Sequence, residues 1–568
     1  MLSNHRGITT SSSIGTIVDS LIHRRITSTV TFTPAQGGGK SGMAPCDHLF
    51  VLRAIINISI TQKRATFLTF FDISKAYDRV DNEDLLVTMW DKGLKGKAWR
   101  ILRKLNVDLS SIVKTRFGDT KEFNMEIGGK QGSKLTGCMF AKMVDLLAEE
   151  FLLTKEGFSI SEDLIIAFLL WVDDIVSCIE GTENLKKALE KINEFAVKHK
   201  IKWSNEKCNV MKIGKHDDED TEWKVGEMTI QETSKYKYLG DIITNDGKNT
   251  ENLKARKTKL QGTTININTI ASSEILNKIE TTVLLELHEK INVSSLLTNA
   301  ESWTLSKGDE KELEKTEIMA IKHLFNLPTH IPSVAILYTF GIKYTTQRVH
   351  QMQLFYLHKV LHKGDIDWTR PTLNALKELN TGWYKHIQSV LKMYELPTDF
   401  DTIRLLSVGE WIYNVKKGIE SKHKEKLLDD CHKMVDGEKI KKTKTSTIVD
   451  NINNDYVRKP LNEIKNLSKN ETRTLMMARY GMLQCGKNYG GSMQNLCPDC
   501  NCPDDENHRL NFCPKWSENN QINTCDKVSF ELIYSNDENV LKTIIPVIEK
   551  LWNTKTGHGK MIVCKGTE

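Results

Sequence analysis

Two apolar runs separated only by Asp173 and Asp174 constrain the fold of this chain more than any other feature. Leu164 to Val172 precedes the pair and Ile175 to Ile179 follows it. Apolar β-prone runs joined by a short polar turn predict a β-hairpin with two carboxylates at its tip. An isolated pair of this kind is usually an ordinary turn, so other elements must decide whether these acids carry chemistry.

A third acid stands at the end of another apolar run. Thr66 to Ile73 predicts a strand that contains Asp72, and Tyr77 follows five residues after that acid. Carboxylates beside apolar strands are costly to bury unless cations compensate them. Their oxygens favour Mg²⁺ or Mn²⁺, and two such ions stabilise the attacking and leaving oxygens of phosphoryl transfer. The alternative is that Asp72 is only a cap at the strand end.

The order of several motifs gives a resemblance that none of them gives alone. In chain order they resemble motifs A, B, C and D and the primer-grip turn of reverse transcriptases: FFDISKAYDRV (70–80), GKQGS (129–133), LLWVDDIV (169–176), WSNEKCNVM (203–211) and YKYLGDII (236–243). Upstream, Arg6-Gly7-Ile8 and Gln36 to Asp47 resemble finger motifs of retrotransposon enzymes. Over about the first 245 residues, the chain resembles reverse transcriptases of non-LTR, LINE-like retrotransposons.

The resemblance implies an α+β right-hand polymerase with fingers, palm and thumb, an all-α C-terminal extension and a small zinc knuckle. The expected domains are fingers and palm at 1–215, thumb at 216–300, helical extension at 301–480, zinc knuckle at 481–530 and a tail at 531–568. The implied function is RNA-directed DNA polymerisation on an RNA template from a DNA primer and deoxynucleoside triphosphates. The rival is a catalytically decayed or domesticated remnant that only binds RNA.

The resemblance also implies roles for individual residues of the palm. Asp72 and Asp173 would be the principal ligands of two Mg²⁺ or Mn²⁺ ions, and Asp174 would complete the acidic triad. Lys207 would donate a proton or charge to the leaving pyrophosphate. Tyr77 would lie under the sugar of the incoming nucleotide, where its ring would clash with a 2′-hydroxyl.

Further residues would contact substrates. Gln131 and Gly132 would let the backbone approach the templating pair, and Lys40 would contact the triphosphate, although a loop lysine is usually solvated. Tyr238-Leu239-Gly240 would form the primer grip. A basic helix would hold phosphates, and a solvated helix face would look similar; its residues are Lys254, Arg256, Lys257 and Lys259.

Three departures from the family pattern leave the acids intact. They are Trp171-Val172 in motif C, Lys134, Thr136 and Gly137 in motif B, and Gly39-Lys40 in the finger loop. The lysine keeps a positive charge and loses the bidentate fork of arginine. The family also has more finger sequence and an endonuclease ahead of the first motif. We therefore expect an N-terminally truncated copy that uses a separate endonuclease.

Six of the 12 cysteines fall between Cys485 and Cys525. Cys497, Cys500, His508 and Cys513 supply three thiolates and an imidazole, which satisfy the tetrahedral preference of one Zn²⁺ ion. Their order resembles the terminal knuckle of these retrotransposon proteins, and the implied use is RNA binding. The alternative is a set of reduced, unpaired cysteines.

Bulk composition excludes little. The 79 basic and 73 acidic residues leave a net charge of only +6, which permits nucleic-acid binding without arguing for it. No apolar run is long enough to cross a bilayer, and the N-terminus lacks the continuous apolar core of a secretory signal. We therefore expect an intracellular protein of nucleus and cytoplasm, with no membrane partner.

Overall fold

The computed structural model describes most of the chain before residue 437 and short stretches after it. The described residues are 9–10, 12–107, 109–125, 127–130, 132–216, 222–271, 279–364, 367–436, 464–480, 502, 533 and 538–553. They form two compact units. Unit 1 is Met1–Asn252, Asn299–Leu305 and Met352–Ile412, and unit 2 is Leu253–Thr298, Ser306–Gln351 and Tyr413–Glu568.

All strands of the described residues belong to unit 1. In chain order they are β1 (Thr66–Asp72), β2 (Leu109–Ser111), β3 (Lys114–Thr115), β4 (Gly118–Asp119), β5 (Phe123–Met125), β6 (Phe158–Ser161), β7 (Leu164–Ile166), β8 (Phe168–Trp171), β9 (Asp174–Glu180), β10 (Asn209–Ile213), β11 (Trp223–Val225), β12 (Met228–Glu232), β13 (Lys235–Tyr238) and β14 (Asp241–Thr244). Among the described residues the central sheet has six strands in the order β11-β12-β10-β1-β9-β8.

The other main regular elements of the described residues are α-helices. They are α1 (Ser13–Thr27), α2 (Pro45–Gln62), α3 (Ala76–Arg79), α4 (Asn82–Asp91), α5 (Gly96–Asn106), α6 (Lys134–Thr154), α7 (Thr182–Lys198), α8 (Thr250–Ala271), α9 (Thr281–Leu287), α10 (Ser294–Leu296), α11 (Lys307–Leu324), α12 (Ser333–Phe340), α13 (Thr345–Leu361), α14 (Thr369–Glu378), α15 (Gly382–Met393), α16 (Phe400–Leu405), α17 (Val408–Asp436), α18 (Lys469–Arg479) and α19 (Glu538–Asn553). No described helix combines the length and the apolar character needed to cross a membrane.

The centre of unit 1 is strand β1, which is buried along almost its whole length. It pairs antiparallel with β9 on one side and with β10 on the other. A strand that pairs on both edges and is covered on both faces has a continuous apolar sequence, as Thr66 to Ile73 has. The predicted strand and the predicted β8–β9 hairpin are both confirmed, and together they make the rigid frame of the unit.

Residues far along the chain complete unit 1. The Asp47 carboxylate near the start of α2 accepts hydrogen bonds from Ala44 N (2.8 Å) and from the Tyr356 hydroxyl (3.0 Å). Lys363 Nζ lies 2.8 Å from the same carboxylate, and the Phe50 ring meets Trp383 edge-on at 5.3 Å. The 352–412 segment is therefore built into the same core as α2.

Unit 2 is helical in its described part, as the sequence predicts for the chain beyond about residue 250. Its apolar core includes Ile321, Leu324, Phe325, Phe340, Leu475 and Ile545. A buried polar cluster lies beside the π-helical turn His288–Val293. Glu317 there accepts from the Thr345 hydroxyl (2.5 Å) and lies 3.5 Å from Arg348 Nη1. These contacts compensate the burial of the Glu317 charge.

Candidate active site

Strand pairing brings the predicted acids to one end of the central sheet. Asp72 lies directly opposite Asp174 in the register of β1 and β9. Trp171 pairs with Asp174 across the β8–β9 hairpin, so Val172 and Asp173 form its two-residue turn. Residues directly opposite each other on antiparallel strands have Cβ atoms about 4.5–5.5 Å apart and share a face. Asp72 and Asp173 are half-buried, and Asp174 is exposed.

A lysine already contacts one of these acids. Lys207 Nζ lies 3.3 Å from Asp72 Oδ1 and 3.2 Å from Oδ2. The turn that carries it is fixed to the end of β1, because the Ser204 amide donates to the Asp72 carbonyl (2.9 Å). The Tyr236 hydroxyl donates to the Lys207 carbonyl (2.8 Å), and its ring stacks on Phe70. The structure therefore brings together the residues of motifs A, C and D.

The donor chemistry fits Mg²⁺ or Mn²⁺, since carboxylate oxygens are hard ligands. The contact with the Lys207 ammonium shows that the Asp72 carboxylate is reachable by a cation. Among the described residues no three or more His, Cys, Asp or Glu side chains are already grouped to hold a metal ion. Binding ions here would require the carboxylates to turn toward one another and Lys207 to release Asp72. The predicted zinc ligands Cys497, Cys500, His508 and Cys513 lie outside the described residues.

Tyr77 lies between the acids and helix α6. Burial, helped by the negative charge of Asp173, raises the pKa of its hydroxyl. A Cβ placed on Gly137 of α6 would be 3.6 Å from that hydroxyl oxygen. The Tyr77 carbonyl accepts from the Gly129 amide (2.7 Å). The segment predicted to be motif B is thereby hydrogen-bonded to Tyr77 of the segment predicted to be motif A.

The other residues predicted to contact substrates lie further apart. Lys40 is half-buried, and burial lowers the pKa of its ammonium, with Asp367 and Asp145 opposing that shift. Gly132 is exposed with φ 113°, a conformation that favours glycine. Gln131 lies outside the described residues. The structure thus links Lys40 to an acidic neighbourhood of unit 1 and leaves Gly132 at the surface.

The predicted primer-grip turn is present between β13 and β14. Leu239 and Gly240 are its two central residues, and both have positive φ, 45° and 88°. The Tyr238 side chain is buried, and its hydroxyl donates to the Leu169 carbonyl on β8 (3.2 Å). Tyr238 therefore anchors the turn to β8 of the hairpin that carries Asp173.

The basic residues of α8 in unit 2, which the sequence predicts to hold phosphates, do not share one exposed face. Arg256 is buried and donates to the carbonyls of Ser295 (2.8 Å) and Thr298 (3.2 Å). Lys257 Nζ donates to Glu312 (2.5 Å). The other two members, Lys254 and Lys259, are exposed. Arg256 thus stabilises its own unit, because a buried guanidinium needs such acceptors.

The match to a protein family agrees with this geometry. Residues 2–243 match the family model described as "Reverse transcriptase (RNA-dependent DNA polymerase)". The chain contains a reverse transcriptase domain. The matched residues have mixed helix and sheet, and the matched family consists of RNA-directed DNA polymerases, which are nucleotidyltransferases that use divalent metals such as Mg²⁺. The five motifs that resemble those of reverse transcriptases, at 70–243, all lie within the matched residues.

Among solved structures the chain is similar to two yeast telomerases. It is 11% identical to telomerase from Candida albicans in complex with a TWJ fragment of telomeric RNA, with 69% of this chain and 58% of that chain covered at a TM-score of 0.36. It is 14% identical to apo telomerase from Candida tropicalis, with 70% and 60% covered at a TM-score of 0.31. The chain spans less than two thirds of the length of these structures. No curated protein matches it.

The sequence pattern did not identify Gln36 as a residue that contacts the turn carrying Asp173. Gln36 is fully buried, and its Oε1 accepts from the amides of Gly38 (2.9 Å) and Val172 (3.1 Å). Its side chain thus reaches the turn that carries Asp173. The available signal was the run of glycines after Gln36, since consecutive glycines often mark a close backbone approach.

Proposed function

We propose that this chain is an RNA-directed DNA polymerase that extends a primer on an RNA template by two-metal nucleotidyl transfer. The observation that carries the proposal is the register of β1 and β9, in which Asp72 faces Asp174 beside the turn that holds Asp173. The matched family supports the polymerase activity, and the acids supply the hard-oxygen chemistry that the reaction needs.

In this proposal the acids and Lys207 have distinct tasks. Asp72 and Asp173 are the principal ligands for the two ions, and Asp174 completes the set. When bound, two divalent ions stabilise the attacking and leaving oxygens of an in-line displacement. The Lys207 ammonium, which contacts Asp72 in this structure, turns to the leaving pyrophosphate and gives it a proton or charge. Its exposed, flexible side chain permits that movement.

Other residues would select and orient the substrates. Tyr77 lies beside Asp173, where its ring excludes a 2′-hydroxyl and so favours deoxynucleotides. Gln131 and Gly132 let the backbone approach the templating pair, and Lys40 contacts the triphosphate. The turn at Leu239-Gly240 holds the primer end. Its attachment to β8 through Tyr238 supports that assignment, since the primer must be fixed relative to the acids.

The origin and partners that we propose follow from the resemblance of the sequence. The chain derives from a non-LTR retrotransposon, works in the nucleus and cytoplasm, and has a separate endonuclease as a candidate partner. Cys497, Cys500, His508 and Cys513 hold one Zn²⁺ ion in an RNA-binding knuckle. Elemental analysis of the purified chain tests the knuckle directly: one zinc per chain supports it, and a zinc-free preparation contradicts it.

The second candidate function is RNA binding without catalysis. The altered motif B favours it, since Lys134, Thr136 and Gly137 replace residues that shape the nucleotide-binding turn in the family. Both functions predict RNA binding, so binding alone does not separate them. Only the polymerase also predicts that dNTPs are consumed.

Primer extension by the purified full chain separates the two functions. The assay supplies a DNA primer on an RNA template, dNTPs and Mg²⁺, with EDTA and a template-free reaction as controls. Extension that requires both template and Mg²⁺ supports the polymerase. Tight RNA binding with no extension in Mg²⁺ or Mn²⁺ supports the RNA-binding remnant.

A further inference from the structure

The buried amide of Gln36 joins three parts of the reverse transcriptase domain. Its Oε1 accepts from Gly38 N (2.9 Å) and from Val172 N (3.1 Å), while its Nε2 donates to the Ala141 carbonyl of α6 (3.2 Å). The side chain is completely inaccessible to solvent. The contacts with Gly38 and Ala141 are buried, and the contact with Val172 is partly buried. Hydrogen bonds shielded from water are electrostatically stronger than hydrogen bonds in water.

The residue that Gln36 holds is under backbone strain. Val172 has φ 61°, and it is the first of the two turn residues between β8 and β9. Two-residue hairpins with positive φ at this position normally use glycine, because a β-branched side chain is disfavoured there. Such a conformation persists only when the surroundings impose it. The Val172 amide bonded to Gln36 is one such constraint.

The backbone around Gln36 is fitted to the same turn. The Gly37 amide donates to the Leu170 carbonyl (2.9 Å), and the Leu170 amide donates to the Ala35 carbonyl (2.8 Å), so the loop runs along β8. A Cβ on Gly38 would lie 2.5 Å from Val172 Cγ2 and 2.7 Å from Val172 N. Only glycine permits this approach, which places the Gln36 amide behind the catalytic turn.

We propose that Gln36 is a positioning residue that holds the strained Val172–Asp173 turn and thereby sets where Asp173 meets the metal ions. The inference rests on the proposed function, since it takes Asp173 to be a metal ligand. Gln36 touches neither substrate nor reacting atoms. It acts through the backbone of Val172, so relaxing that backbone should remove the need for Gln36.

The relaxing change is Val172→Gly, because glycine adopts positive φ without a steric penalty. The test compares the parent, Gln36→Leu, Val172→Gly and the double variant. Gln353→Leu is the matched control, because Gln353 is also fully buried in unit 1 and its amide donates to the carbonyls of Ala300 (3.3 Å) and Trp303 (2.8 Å). Thermal melting of each variant reports any general loss of stability.

Two readouts are measured on the full chain bound to primer and template. Electron paramagnetic resonance of free Mn²⁺ gives the metal affinity without nucleotide, and single-nucleotide addition gives the rate and the Mg²⁺ requirement. Gln36→Leu should weaken Mn²⁺ binding about tenfold, the scale set by one lost buried hydrogen bond. Adding Val172→Gly should restore most of that loss. Gln353→Leu should leave the Mn²⁺ affinity at the parental value.

Parental Mn²⁺ affinity in Gln36→Leu would overturn the proposal. So would a double variant that binds Mn²⁺ no better than Gln36→Leu, since a purely structural role would not respond to Val172→Gly. If Gln36→Leu fails to fold, Gln36→Asn takes its place, because it keeps a buried amide that is too short to reach Val172 N. A parent that binds Mn²⁺ in this Gln36-dependent way and extends no primer contradicts the proposed function while supporting the positioning role.

Discussion

Two hairpins of unit 1 each have an aspartate directly after a two-residue turn, and the two aspartates have opposite environments. Asp174 follows the Val172–Asp173 turn and is exposed, next to the half-buried Asp173. Asp241 follows the Leu239–Gly240 turn and is fully buried. Its Oδ2 accepts from Arg53 Nη2 (2.8 Å) and from Trp303 Nε1 (2.9 Å).

The difference shows what makes an aspartate available for metal chemistry. Asp241 is surrounded by donors that neutralise its charge, so its carboxylate belongs to the framework. Asp174 is exposed and lies opposite another carboxylate, Asp72, across paired strands, and a cation placed between them would reduce their mutual repulsion. Position after a turn is the same in both hairpins. What differs between the two aspartates is the set of side chains that neighbouring elements place around each carboxylate. That set distinguishes the proposed metal ligand from the structural acid.

The largest expected effect concerns Asp72, which lies opposite Asp174 of the first hairpin. Asp72→Asn should reduce primer extension by several orders of magnitude, because it removes one principal ligand of the ions that stabilise the transition state. The melting temperature should stay near the parental value, since Asp72 is only half-buried. Extension assays on the full chain measure the first effect and circular dichroism the second. Substantial extension by this variant would show that Asp72 is a strand cap.

The matching change in the second hairpin should affect stability. Asp241→Asn leaves the Arg53 guanidinium without its charged partner and turns an amide N–H toward donors. We expect a loss of about 3–5 kcal/mol in the free energy of unfolding, the range for breaking a buried ion pair. Asp246→Asn is the control, because Asp246 lies two residues after the end of β14 and its side chain is 49% exposed. Equal urea midpoints for the two variants would remove the distinction between the hairpins.

Nucleotide selection gives a smaller effect. Tyr77→Ala should let the polymerase incorporate ribonucleotides, because the ring beside Asp173 no longer blocks a 2′-hydroxyl. The ratio of kcat/KM for dNTP to that for the matching rNTP should fall by about ten- to a hundredfold, the equivalent of about 1.4–3 kcal/mol. Tyr77→Phe keeps the ring and serves as the control. An unchanged ratio in Tyr77→Ala would make Tyr77 a core residue only.

The smallest expected effect concerns the exposed lysines of α8. Lys254→Ala/Lys259→Ala should weaken binding of primer and template by a few fold at low salt and reduce the log–log salt slope by about 1–2, because each phosphate contact contributes a little under one unit. Lys290→Ala/Lys433→Ala removes the same charge from two other exposed sites of unit 2. Identical salt slopes for both double variants would mean that Lys254 and Lys259 are solvated and contact no phosphates.

Local pattern in the sequence predicts the elements of the site well. The apolar runs around Asp72 and Asp173-Asp174 specify β1, β8 and β9, and a fixed side-chain period of two then places the acids. The tie between Gln36 and Val172 spans 136 positions in the chain, and no periodicity encodes such a contact. The burial of Asp241 likewise depends on Trp303, which returns from a distant segment. Contacts between residues far apart in the chain cannot be predicted from local sequence patterns.

Extension of a primer by Asp173→Asn tests the central claim most directly. Asparagine keeps the size of the side chain at the hairpin turn and removes the charge that holds the ions. The account predicts that the variant folds, binds primer and template like the parent, and adds no nucleotide in Mg²⁺ under conditions where the parent does. Retained Mg²⁺-dependent extension by the folded variant would contradict the account, because the acids at this turn would then not be the site of catalysis.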